Sequence, residues 1–87
     1  MNKNINVYPK WMKFDPKTLQ PFDRVLVRDN DDDKWICNLF SHYNGGEPYP
    51  YVCVSSLWIN CIPYNDETKH LVGTTDDCPE YYKWWEE

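Results

Sequence analysis

From Phe22 onward, short runs of apolar and β-branched residues alternate with clusters of Asp, Asn, Gly, Pro and Ser. Arg24-Val25-Leu26-Val27-Arg28 reads as a strand that ends in the polar turn Asp29-Asn30-Asp31-Asp32-Asp33. Lys34–Tyr43 is the longest strand candidate, and Asn44-Gly45-Gly46-Glu47-Pro48 breaks it. Tyr51–Val54 and Leu57–Ile62 follow, separated by a tight turn at Ser55-Ser56. Beyond the loop Pro63–Thr68, His70-Leu71-Val72 reads as a short last strand that stops at Gly73. Four or five short strands with turns every eight to twelve residues predict a mainly β fold. The expected form is a small SH3-like antiparallel barrel, with a bent, open meander as the alternative.

Period-two reading divides each strand between two faces. In the second strand Trp35, Cys37 and Leu39 share one face, and Ile36, Asn38, Phe40 and His42 share the other. In Leu57–Ile62, Leu57, Ile59 and Cys61 oppose Trp58, Asn60 and Ile62. Both faces are substantially apolar, which a sheet with one side in water does not require. A second layer is therefore needed, from the N-terminal segment, from the C-terminal tail or from another subunit.

Both flanks have the composition for that. Pro9, Pro16 and Pro21 forbid a long helix across residues 1–21, yet Ile5, Val7, Trp11, Met12 and Phe14 favour wrapping on the body. Asp15-Pro16 is the start of a single helical turn, with Asp15 as N-cap and Pro16 at the first helical position. In the tail, residues 75–87, Pro79 opens another such turn, and Tyr81, Tyr82, Trp84 and Trp85 crowd the end. Rings of this size are costly to leave in water. They are expected either to patch the chain's own core or to form an interface that makes a homo-oligomer. The organisation is a single domain: a wrapping segment 1–21, a β body 22–74 and the aromatic tail.

Composition narrows the functional classes. The 87 residues carry nine basic and fourteen acidic side chains, a formal charge of −5. That balance speaks against direct nucleic-acid binding, which needs clustered cations, and against an anionic membrane surface. Met1–Asn6 has no apolar signal region, so a soluble cytoplasmic location is expected. Cys37, Cys53, Cys61 and Cys78 form no C-x-x-C pair; Cys37, Cys53 and Cys61 are read as small hydrophobes inside apolar strands, with neither a metal site nor disulfides expected. Asp29–Asp33 fails as an EF-hand loop, because the sixth and twelfth positions are Lys34 and Phe40. No nucleophile, phosphate-loop or zinc-protease motif occurs, and the expectation is a non-enzymatic protein without a cofactor.

What remains is a set of rings interleaved with neutral hydrogen-bonding groups. Trp35, Trp58 and Tyr64 are candidates to stack on a planar, nucleotide-like ligand. Asn60 and His42 are candidates to hydrogen-bond it, and Arg24 and Arg28, which alternate with Val25 and Val27, to meet its phosphates. Two other classes stay open. Asp31–Asp33 with Glu86 and Glu87 give an acidic surface suited to blocking a partner's basic nucleic-acid site. Alternatively, the rings read proline or methyl-lysine in the manner of SH3 or Tudor modules.

The segments Pro21–Asp29, Trp35, Leu39–His42, Cys61–Asn65 and His70–Thr74 resemble a group of short, uncharacterised proteins encoded in phages and mobile elements of gut bacteria. The resemblance spans roughly residues 14–77 and leaves out the aromatic ending. It implies only a viral or mobile-element accessory role and assigns no residue a role. For an acidic chain without catalytic motifs, the leading expectation is a protein that binds and sequesters or inhibits a host defence factor.

Overall fold

A computed structural model describes residues 12–85. Five strands, β1 (Arg24–Arg28), β2 (Ile36–Tyr43), β3 (Tyr51–Cys53), β4 (Leu57–Trp58) and β5 (Asn60–Pro63), form one antiparallel sheet in the order β4-β3-β2-β1-β5. Among the described residues there is no α-helix, only three single 3₁₀ turns. The fold is mainly β, as the turn spacing predicts.

The connection between β4 and β5 shapes the molecule. They are the two outer strands of the sheet, yet Ile59 alone separates them. In a flat sheet, strands four steps apart lie about 19 Å from one another. Trp58 and Asn60 are two residues apart and span at most about 7 Å. The sheet must therefore curl until its edges approach. Ile59 makes this crossing with its N–H donated to Asp29 Oδ1 at 3.0 Å. The curl leaves Cys61 of β5 and Cys53 of β3 buried in one core. The outer strands do not pair with each other, so the sheet is a strongly bent meander and not the closed SH3-like barrel.

The bend is built into β2. Its first half, Ile36–Leu39, pairs with β1, and its second half pairs with β3. The register slips between Phe40 and His42, a bulge of the kind that bends a strand and redirects its side chains.

Two strand expectations are corrected. Leu57–Ile62 is two strands broken at Ile59, for the geometric reason above. His70-Leu71-Val72 is not a strand: Lys69–Leu71 is a 3₁₀ turn, and Val72 makes only a single parallel bridge to Trp35. Asn65 starts this departure. Its Oδ1 accepts from Glu67 N and Thr68 N, while Thr68 Oγ1 donates to Pro63 O at 2.6 Å. These side-chain bonds take up backbone donors that a ladder would need.

Val25, Leu26 and Val27 are all fully buried, so both faces of β1 are covered. The chain's own flanks supply the second layer. Phe14 and Leu19 come from the N-terminal stretch, and Cys78 and Tyr82 from the tail. Phe14 N donates to Tyr81 O at 2.7 Å, and its ring lies 5.7 Å from that of Tyr82. Trp84 meets Tyr43 and Tyr51 edge-on at 5.3 and 5.6 Å. The turn at Pro16–Thr18 forms as expected, with Asp15 Oδ1 accepting from Lys17 N at 2.9 Å. The expected wrapping of Ile5, Val7 and Trp11 lies outside the described residues. The first half of β2 is less covered than its apolar pattern suggests: Ile36 is 48% and Leu39 39% exposed.

This layering separates two leucines cleanly. Leu26→Ala, which empties a fully buried site, is expected to cost about 2–5 kcal/mol, and Leu57→Ala, at a largely exposed site, within ~0.5 kcal/mol. Urea unfolding midpoints of the two variants measure the difference.

Candidate functional site

Arg28, at the end of β1, is only 2% exposed. Its Nη1 donates to three main-chain carbonyls: Asp31 at 3.3 Å, Asp33 at 3.2 Å and Thr75 at 3.1 Å. Nη2 lies 3.7 Å from an Asp31 carboxylate oxygen and 3.6 Å from one of Asp77. The guanidinium sits over the Trp35 ring, 4.2 Å from its centroid. Trp35 is itself buried, and its Nε1 donates to Asp76 O at 2.8 Å. Neither Arg28 nor Trp35 presents its functional group to solvent: together they tie the turn after β1 to the chain entering the tail.

The other sequence candidates are dispersed. Asn60 is buried on β5, opposite Arg28 in the ladder. Trp58 is half-buried on β4, its Nε1 donating to Ser56 Oγ at 2.6 Å. Arg24 is exposed and lies 6.0 Å from the ring centroid of half-buried Tyr64. His42 is exposed at the far end of β2, its Nδ1 sharing a 3.0 Å hydrogen bond with Ser41 Oγ. The set therefore yields two local pairs, Arg28–Trp35 and Arg24–Tyr64, with Asn60 across the ladder from Arg28. The tail candidates pack on the chain's own body. Tyr82 is buried, its hydroxyl donating to Glu67 Oε1 and accepting from Asn65 Nδ2, while Tyr81, Trp84 and Trp85 are half-buried.

Two surfaces emerge that the strand pattern did not single out. The first is acidic. By holding both segments at one guanidinium, Arg28 sets Asp31, Asp32 and Asp33 beside Asp76 and Asp77. All five are exposed, Asp31 to 95% of its side chain, although Asp77 also pairs with Lys83. Glu86 and Glu87 lie outside the described residues. The second is an open groove of about 370 Å³ between the stretch Pro16–Pro21 and the second half of β2, lined on the β2 side by Phe40, Ser41, His42 and Tyr43. Four consecutive strand residues line it, where strict alternation would send two to each face. The bulge accounts for this, and the sequence carries no signal for it.

Cys53 and Cys61 are buried small hydrophobes as expected, whereas Cys37 is corrected to an exposed position on the less covered half of β2; Cys78 is also buried. Among the described residues no group of three or more His, Cys, Asp or Glu is placed to hold a metal ion, and no helix is long and apolar enough to cross a membrane. Comparison with known proteins finds no family model, no curated protein and no solved structure that matches the chain.

Arg28→Ala is expected to cost about 3–5 kcal/mol, since it breaks a buried ion-pair hub, whereas exposed Arg24→Ala should stay within ~0.5 kcal/mol. Thermal unfolding followed by circular dichroism distinguishes them. The thiols add a pH dependence. Burial pushes Cys53 and Cys78 from 9.0 up to about 11, and holds Cys61 well above its ordinary range. Burial raises the Tyr51 hydroxyl in the same direction. These groups ionise more readily in the unfolded chain, so their contribution is intact below about pH 9 and is lost as pH rises toward 11. Denaturation midpoints measured at neutral pH and through that alkaline window should fall across it.

Proposed function

We propose that this is a non-enzymatic binding protein whose acidic face occupies a basic, nucleic-acid-binding surface on a partner protein. The observation that carries the reading is the Arg28 hub. It gathers carboxylates from two segments more than forty residues apart in the chain and holds their backbones fixed. Fixed carboxylates of one sign act as a preorganised counterpart to lysine and arginine, and they steer the encounter. A net charge of −5 extends that field over the molecule. In the accessory role that the resemblance to phage and mobile-element proteins implies, the partner is a host factor and binding inhibits it. A nucleotide-stacking pocket has less support, because Trp35, Arg28 and Asn60 are buried.

The test is capture of partners from host lysate by the tagged protein, followed by affinity measurement on the recovered partner. Duplex DNA should compete, and binding should weaken steeply with salt. The double variant Asp32→Asn, Asp76→Asn leaves the hub's two carboxylates, Asp31 and Asp77, in place and removes two charges. It should lose about tenfold in affinity, about 1.4 kcal/mol, with an unchanged melting temperature. Binding that is indifferent to salt and to the double variant would sink the proposal.

A further inference from the structure

We infer that the groove beside the β2 bulge is a second, separate site, which binds a small organic anion with an apolar body and a single carboxylate. The argument begins with its shape. Pro16, Leu19, Pro21 and Phe40 give apolar walls, and about 370 Å³ is the lower range of small-molecule sites. Those walls are held in place. Phe22 N donates to Phe40 O at 2.6 Å and Phe40 N to Asp23 O at 2.9 Å, which clamps the stretch onto β2. The clamp holds Phe22 in the left-handed region at φ 71°, with the residue 71% exposed. A non-glycine residue in that conformation is strained, and such strain clusters at ligand sites. At the other end Tyr43 is wedged against Tyr51 and Trp84, and a Cβ at Gly45 would come within 2.9 Å of its ring. The cleft is therefore preorganised.

Charge then selects the ligand. In a chain with fourteen acidic residues, none of the eight lining side chains is a carboxylate. The two acids of the neighbouring stretch, both exposed, cap backbone N–H groups, Asp15 that of Lys17 and Asp23 that of Gln20. Lys17 is exposed, and the ion pairs among the described residues do not include it. The bulge brings Ser41 and His42 to the same cleft, already hydrogen-bonded to each other. One cation with a neutral hydroxyl and an imidazole matches one negative charge. A phosphate dianion would call for a denser cationic set. The inference is independent of the acidic face, which lies at the opposite end of β2.

The experiment is an amide-resolved NMR titration of the full chain with 3-phenylpropionate, with 3-phenylpropionamide as the neutral isostere and phenyl phosphate as the dianion. The acid is expected to give saturable shifts confined to residues 17–19 and 40–43, and to bind at least about fivefold more tightly than the amide. Lys17→Met, at an exposed position, should bring the acid down to the amide's affinity and leave the amide unchanged. Absence of saturable shifts at those residues, equal affinity for acid and amide, or tighter binding of phenyl phosphate would each overturn the inference.

Discussion

The structure depends on one buried cation. A guanidinium removed from water is destabilising unless its donors are met, and Arg28 meets most of that cost with three carbonyls, two carboxylates and the face of Trp35. These partners come from three parts of the chain: the turn after β1, Trp35 just before β2, and the segment 75–77. The bonds to Asp31 and Asp33 fix the conformation of an otherwise mutually repelling acidic turn. The bond to Thr75 and the Trp35 bond to Asp76 bring the tail alongside it. Once the tail is delivered there, Tyr82 and Trp84 can reach the core. Packing of the second layer is thus downstream of one ionic contact.

That second layer is what lets so small a chain fold. A sheet of five short strands has limited apolar area, and roughly 40% of the unfolded chain's surface stays exposed in a domain of this size. The one-residue crossing at Ile59 concentrates the available area by curling the sheet, and the curl leaves β1 at the centre of the core. Phe14 and Leu19 from one flank and Cys78 and Tyr82 from the other then close the opposite side. Because the curl stops short of a closed barrel, parts of the sheet stay bare, as Ile36 and Leu57 show.

Local signals were legible and non-local ones were not. The Asp15-Pro16 cap, all of β1 and the start of β3 follow from propensity and turn chemistry, which neighbours in sequence decide. The run His70-Leu71-Val72 misleads because the Asn65 and Thr68 side chains five and two residues earlier curl the chain first. Arg24 and Arg28 alternate with valines and so read as a matched pair of ligand cations. The curl exposes one end of β1 and encloses the other, which sends Arg24 to the surface and Arg28 inside. Trp35 was prominent as a ring, but period two cannot tell a ring that faces a ligand from one beneath a guanidinium. The groove was hidden for a further reason: it exists only because a bulge breaks the alternation on which strand reading rests.

The two surfaces differ in sign because the fold sorts its charge along β2. At the end where β2 begins, Arg28 gathers the aspartates, which remain exposed while Asp31 and Asp77 pair with it. At the end where it finishes, Asp15 and Asp23 are spent on backbone N–H groups, and Lys17 is left exposed. The groove begins at Phe40, four residues along β2 from Ile36, about 13 Å of strand and more than one screening length at physiological salt. A cationic partner drawn to the acidic end therefore acts on the groove only through a screened field. Mechanical coupling between the two would run through β2 and the bulge that bends it.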